Sequence, residues 1–471
     1  MIGFGRPLVV GLGASGVAVA RALVNLGLDV RVADSRDDHT LAMRVGPLRQ
    51  AGAEVWLGGL GEHLLGGRDL VVTSPGVPPH TPLLMAALAR GLPVWSEPEL
   101  AWRLAGERVR LVAVTGTNGK TTTTELVAAC LGAPAAGNIG TPLVEVLSDP
   151  APPPLVVAEL SSFQLHFTHT LRPDVAVLCN VADDHLDWHR TAEAYRAAKA
   201  RVWGRQRPGD VVVMNGEDEG VLRTVGAHPP GGSIVRVGTA RGALQPPPSV
   251  GVHDGVITWR PSPSEFVPIV EVADLALIGP HNIVNACAAV AAAVCAGADP
   301  AGLAPVIASF VAGPHRIEQV SAIDGVSWVN DSKATNPHAA AAALRSFESI
   351  VWIAGGLDKD LDFDVLADLL SERVRATVTI GECGPRVAAV ARRAGVRTVE
   401  AGTLDIAVGV AARLARPGDT VLLAPAAASM DQFTDYAARG QAFRNLVAAL
   451  PGRNVPSRAQ GAVDPIPEGF Q

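Results

Sequence analysis

Aromatic side chains are scarce in this 471-residue chain, at 4% of the residues, so its cores must be built mainly from Ala, Val and Leu. Such residues suit helices laid on sheets. Cysteine is sparse as well. The five thiols (Cys130, Cys179, Cys287, Cys295 and Cys383) are odd in number, form no C-x-x-C pair and sit in apolar runs. That pattern excludes a disulfide or zinc framework and predicts buried, reduced thiols in a reducing compartment. No excess of positive charge is present: 39 Lys and Arg against 46 Asp and Glu leave a net charge of -7, which excludes an extended basic face for nucleic acid. There is no uninterrupted apolar stretch of about 18 residues and no charged leader with a cleavage site, so the expectation is a cytoplasmic chain without membrane insertion. Gly (49) and Pro (36) are too scattered for collagen or a wholly disordered chain, yet numerous enough to punctuate many short elements.

What is present is strand–helix alternation over a length that suggests roughly three domains. Residues 8–10, a helix over 17–26 and a strand over 30–33 make a β-α-β unit, and alternation continues through 70–73 and a helix at 82–90 until Pro93 and Pro98 interrupt it. The pattern restarts with strand 111–114, helix 121–131, strands 155–158 and 175–178 and helix 192–203, followed by short alternating runs over 233–278 that suggest an antiparallel addition. A helix over 282–296 closes that segment. Strands at 327–329, 350–354, 378–380 and 421–424 then alternate with helices again. The expected fold is α/β in three domains: a Rossmann-like domain over 1–97, a P-loop ATPase-like domain with a mostly parallel sheet over 98–311, and a Rossmann-like domain over 312–450. A disordered tail over 451–471 is expected to follow, since it carries four prolines and little periodic apolar content.

The strongest chemical signal is Thr115-Gly116-Thr117-Asn118-Gly119-Lys120-Thr121-Thr122 between a strand and a helix. Small residues let backbone N–H groups close on phosphate, the helix start adds positive potential, Lys120 reaches the terminal phosphates and Thr121 reaches magnesium. The usual spacing asks for Gly six residues before the Lys, where this chain has Val114, so the loop is a variant. Glu159 follows the strand at 155–158 and is a natural metal carboxylate at the same sheet edge. Asn180, Asp183, Asp184, His185, Asp187 and His189 cluster after the strand at 175–178, the pattern either of a solvated acidic loop or of metal and phosphate work. Gly11-x-Gly13-x-x-Gly16, with Asp34 after the second strand, is the dinucleotide fingerprint and fits either NAD or a nucleotide diphosphate substrate. Lys199, on a helix among small residues, reads from sequence alone as a solvated surface lysine.

The runs Gly116-Thr117-Asn118-Gly119-Lys120-Thr121, Gly137-Asn138-Ile139-Gly140, Glu159-Leu160-Ser161-Ser162-Phe163-Gln164-Leu165, Asp184-His185-Leu186-Asp187, Tyr195-Arg196-Ala197-Ala198-Lys199, Gly313-Pro314-His315-Arg316, Asn330-Asp331-Ser332-Lys333-Ala334-Thr335-Asn336 and Ser429-Met430-Asp431-Gln432-Phe433 occur in the order seen in the Mur ligase family, which the chain resembles over residues 6–450. The resemblance is to its D-glutamate-adding branch. It implies an ATP-dependent ligase of peptidoglycan synthesis, a monomer that joins D-glutamate to UDP-N-acetylmuramoyl-L-alanine with ATP and two Mg2+ ions. By matching motif, Ser15, Asp34, Ser35, Arg36, Ser74 and Gly76 would hold the uridine diphosphate and Asn138 the muramoyl part. Lys120, Thr121, Glu159 and His185 would manage phosphates and magnesium, with Lys199 carbamylated as a further ligand. Asn282, Asn285, Arg316 and Asp331 would contact ATP, and Thr335, Lys359, Ser429 and Tyr436 would receive D-glutamate. Tyr436 stands where the family pattern has Phe. The competing readings are an NAD-dependent oxidoreductase, a non-catalytic ATP-binding switch and a sibling ligase for another amino acid.

Overall fold

The computed structural model describes residues 3–239, 246–452 and 454–455. Their strands form three sheets. The first runs Glu54–Leu57, Arg31–Asp34, Pro7–Val10, Leu70–Thr73, Val94–Ser96, parallel throughout. The apolar run at 8–10 is wholly buried, as a strand covered on both faces must be. The chain's strand order reverses beside Pro7–Val10, which opens a crevice beyond the carboxyl ends of that strand and Leu70–Thr73.

The second sheet runs Glu265–Glu271, Val256–Ser262, Ser249–His253, Ser233–Gly238, Val211–Asn215, Val175–Leu178, Arg110–Thr115, Leu155–Glu159, Ala135–Gly137. Its order reverses at Arg110–Thr115, so the loop after that strand lies between the ends of Leu155–Glu159 and Val175–Leu178. The antiparallel addition expected over 233–278 begins later than the sequence suggested: Ser233–Gly238 and Ser249–His253 both pair in parallel, and the direction first reverses between Ser249–His253 and Val256–Ser262. The tight turn at Asp254-Gly255, both with positive φ, makes that reversal.

The third sheet runs Arg397–Gly402, Val374–Ile380, Ile350–Gly355, Thr420–Leu423, Val326–Asn330, Glu318–Ile323, Asn454–Val455. Its first five strands are parallel, so the loops after Val326–Asn330, Thr420–Leu423 and Ile350–Gly355 emerge side by side at one edge. Asn454–Val455 pair antiparallel with the edge strand Glu318–Ile323. Those two residues of the expected disordered tail are thus in a strand, and residues 453 and 456–471 lie outside the described ones. The molecule divides into two compact units, residues 1–269 with 285–306 and residues 270–284 with 307–471. All five cysteines are free, but Cys130 and Cys295 are partly exposed, not buried as their apolar surroundings suggested. Among the described residues no helix is long and apolar enough to cross a membrane.

Candidate active site

In the first unit the phosphate loop occupies the reversal point of the second sheet. The usual loop glycine is absent because Val114 is still inside the strand, buried and paired with Glu159, so the loop proper starts at Gly116. There the backbone passes so close to its neighbour that a Cβ would lie 3.0 Å from that of Cys179. Asn180 holds the loop from the side: the Asn118 N–H donates to its Oδ1 at 2.8 Å, and its Nδ2 donates to the Asn118 carbonyl at 3.0 Å. Gly119, at φ 77°, turns the chain into the helix Lys120–Leu131, and a side chain there would meet Asn285 Oδ1 at 2.6 Å.

The polar side chains close over this loop. Lys120 Nζ donates to the carbonyls of Gly116 (3.0 Å) and Thr117 (2.8 Å). Thr121 Oγ1 donates to Glu159 Oε2 at 2.6 Å, and Asn138 Nδ2 donates to Glu159 Oε1 at 2.8 Å, so one buried carboxylate joins three of the expected residues. Lys199 is no surface lysine. Only 1% exposed, it donates from Nζ to the Gly116 carbonyl at 2.7 Å and lies over the Tyr195 ring, whose hydroxyl is hydrogen-bonded to Thr117 Oγ1 at 2.9 Å. Burial, reinforced by the charge of Lys120, pushes the Lys199 pKa well below that of an ordinary lysine.

His185 sits in a left-handed conformation (φ 55°) with its ring against Phe163, centroids 4.6 Å apart. Burial lowers its pKa, with Asp184 pulling the other way. Of the other residues in the expected polar cluster, Asn180 braces the loop, and His189 bonds Ser162 Oγ at 2.9 Å, its pKa pushed down to about 3 by burial. Among the described residues no three His, Cys, Asp or Glu side chains gather into a metal cage. The hydroxyl of Thr121 and the carboxylate of Glu159 are nevertheless hard oxygen donors beside a phosphate loop. They fit a divalent cation that takes phosphate and water as its remaining ligands.

A second site in the same unit lies in the crevice of the first sheet. A cavity of about 380 Å³ is lined by Gly11, Gly13, Ser15, Asp34, Ser35, Arg36, Ser74 and Gly76, among others. All six residues expected at the uridine diphosphate therefore share one cavity, while Asn138 belongs to the phosphate-loop cluster. Gly16 is required by packing, since a Cβ there would fall 1.8 Å from the Gly11 carbonyl oxygen. Asp34 accepts from the N–H groups of Leu12 (2.7 Å) and Arg36 (3.0 Å) and from Arg36 Nε. Burial raises its pKa, but these bonds outweigh it and hold the carboxyl below the ordinary range. Its oxygens are thus engaged in shaping the loop, which weakens the ribose-binding role that an NAD fingerprint gives this acid.

In the second unit, Thr335, Lys359 and Ser429 lie on the three adjacent strand-end loops, and Tyr436 begins the helix Tyr436–Ala448. Backbone bonds tie the loops together: the Leu357 N–H donates to the Ala428 carbonyl and the Ala426 N–H to that of Ala334, both at 2.9 Å. Lys359 is exposed and forms no ion pair among the described residues, and its neighbour Asp358 pairs with Arg386. Asp331 accepts from the Ile317 N–H at 3.3 Å, and burial pushes its pKa up to about 7, despite the neighbouring Arg316. Asn282 is buried and donates to the Ile278 carbonyl at 2.7 Å. Sequence reasoning missed Arg439, 1% exposed, whose guanidinium donates to Ser332 Oγ (3.0 Å) and to the carbonyls of Ser332 (2.9 Å) and Ala427 (3.1 Å). It staples two of these loops from below, a role no local spacing reveals.

A variant phosphate loop at one switch point and a dinucleotide-type cavity at another define a nucleotide-dependent α/β protein. Residues 5–96 match the Mur ligase MurD-like N-terminal domain, 114–293 the Mur ligase middle domain and 315–427 the Mur ligase glutamate ligase domain. The chain is 50% identical over 452 residues to the UDP-N-acetylmuramoylalanine–D-glutamate ligase of Frankia casuarinae, covering 94% of each chain. It is 42% identical to the enzyme of the same name from Thermobifida fusca, covering 95% of this chain and 99% of that one. Among solved structures, the UDP-N-acetylmuramate-alanine ligase of Thermotoga maritima shares the fold at 19% identity, with a TM-score of 0.57 and coverage of 95% and 99%. A MurF ligase of the same organism in complex with ADP does so at 16% identity, TM-score 0.56, with coverage of 89% and 94%. The chain belongs to the Mur ligase family, whose members are ATP-dependent ligases.

Proposed function

We propose that this chain joins D-glutamate to UDP-N-acetylmuramoyl-L-alanine with ATP, in the cytoplasm, as a step of peptidoglycan precursor synthesis. The relatives' shared name supports the choice of substrates. The observation that carries the chemistry is the buried cluster in which Lys120 and Lys199 meet the Gly116 carbonyl beside Thr121 and Glu159.

A carboxylate does not accept an amine directly, because oxide is a poor leaving group. The terminal carboxylate oxygen of the acceptor attacks the γ-phosphorus of ATP, the bond to the bridging oxygen breaks, and ADP leaves. The D-glutamate amine then adds to the acyl-phosphate carbonyl carbon, the tetrahedral adduct collapses, phosphate departs and the amine proton is lost. Lys120 and the loop backbone, residues 116–122, stabilise the charge on the transferring phosphoryl oxygens. Thr121, Glu159, His185 and a carbamylated Lys199 would hold magnesium, which supplies further positive charge to that group when bound. A buried, neutral Lys199 amine is what carbamylation needs: its nitrogen adds to carbon dioxide, a proton leaves, and a cation becomes an anionic ligand. In this reading Ser15, Asp34, Ser35, Arg36, Ser74 and Gly76 receive the uridine diphosphate, Asn138 the muramoyl part, and Asn282, Asn285, Arg316 and Asp331 the ATP. Thr335, Lys359 and Ser429 receive D-glutamate, whose two carboxylates call for a cation and neutral donors, and Tyr436 borders that pocket.

The test is isotopic. Acceptor labelled with oxygen-18 in its terminal carboxylate should yield inorganic phosphate carrying one labelled oxygen. Unlabelled phosphate during turnover would rule out the acyl-phosphate route.

A further inference from the structure

The chain has four lysines against 35 arginines, and only two tyrosines. Each tyrosine carries a lysine over its ring: Lys199 lies 4.5 Å from the Tyr195 centroid, and Lys333 lies 3.8 Å from that of Tyr436. The first pair belongs to the phosphate loop. The second stands in the other unit, where Lys333 occupies the loop after Val326–Asn330. The Tyr436 ring is itself pinned. His315 meets it edge to face, with centroids 6.4 Å apart and planes at 79°. Asn330 Nδ2 donates to His315 Nδ1 at 2.9 Å, fixing the imidazole. Gly440, one helical turn beyond Tyr436, leaves room for it: a Cβ there would lie 2.3 Å from His315 Nδ1. Ser332 Oγ donates to the Tyr436 carbonyl at 2.8 Å, so the ring and the lysine-bearing loop are joined through the backbone as well.

We propose that Tyr436 is a positioning residue, whose ring face, held by His315, aims the Lys333 ammonium at an anionic group of the substrates. This rests on the ligase reading above and deepens it. A lysine stem has four rotatable carbons and points nowhere in particular, whereas a ring quadrupole beneath the ammonium fixes the place of its charge. The anionic group is a carboxylate of the amino acid or a phosphate of the nucleotide, which one experiment separates.

Phosphate release is measured at varied D-glutamate and varied ATP for the wild type, Tyr436→Leu, Tyr436→Phe, Lys333→Gln and the Leu/Gln double variant. Loss of the ring in Tyr436→Leu should raise one KM by about tenfold. A rise for D-glutamate assigns the carboxylate, and a rise for ATP assigns the phosphate. Tyr436→Phe should rescue the loss to within about twofold, because the ring face is restored. The double variant should be no worse than Lys333→Gln, because the tyrosine acts through the lysine. Gly440→Ala, which drives a methyl into His315, should reproduce the Tyr436→Leu pattern and serves if that variant does not fold. Equal damage in Tyr436→Phe and Tyr436→Leu, unchanged KM values in Tyr436→Leu, or losses that multiply in the double variant would overturn the proposal. A wild type that releases no phosphate with these substrates would instead overturn the ligase reading.

Discussion

Lysine is the informative residue of this chain. With 35 arginines available for surface charge, four lysines remain at Lys120, Lys199, Lys333 and Lys359, all inside the motif runs or on a strand-end loop of the third sheet. An ammonium is a compact charge that can lose its proton when buried, which a guanidinium does not do. Lys199 shows why the sequence was silent about it. Its helix, Ala192–Ala200, offers only small neighbours, and nothing local indicates that Gly116, 83 positions earlier, receives its hydrogen bond. The rarity of lysine was the available signal. Lys199→Ala should lose nearly all turnover with little change in thermal stability, and added formate or acetate should restore part of it by supplying the missing carboxylate. Ordinary activity in that variant would remove Lys199 from the site.

At the scale of elements, the phosphate loop and the dinucleotide turn were legible because their chemistry needs glycines at fixed intervals next to a strand end. The short strands Val94–Ser96 and Ala135–Gly137 were not, since three residues carry no periodicity and form only because neighbouring strands offer them partners. Burial across elements was equally hidden. Glu97, which opens the helix Glu97–Ala105, is 1% exposed and accepts at 2.5 Å from the Val144 N–H, the start of the helix Leu143–Leu147. Burial, with a smaller contribution from Glu145, pushes its pKa up to about 7. The native state therefore holds this proton more tightly than the unfolded chain. The resulting stability is complete below the ordinary carboxyl value near 4.5 and is lost as pH rises through about 7. Glu97→Gln should match the wild type near pH 5 and exceed it at pH 8, by about 2–3 kcal/mol at most. Denaturant melts at the two pH values check this, and parallel behaviour of both proteins would show that Glu97 does not titrate in the native state.

At the scale of the whole molecule, three sheets carry loops at the carboxyl ends of parallel strands, and the residues proposed for the UDP-sugar lie in one unit while those proposed for D-glutamate lie in the other. Fold class and order of sheets follow from strand–helix alternation, which composition alone already favoured. The proposed amino-acid pocket does not: it draws on loops brought together by backbone pairings such as Leu357 with Ala428, which no linear pattern encodes. The central claim is accordingly about the choice of amino acid. The most direct measurement is ADP release by the purified chain with ATP, magnesium and UDP-N-acetylmuramoyl-L-alanine against a panel of L- and D-amino acids. The account predicts release with D-glutamate and none above background with L-glutamate, L-alanine or L-lysine. Equal or faster release with another amino acid, or none with D-glutamate, would contradict it.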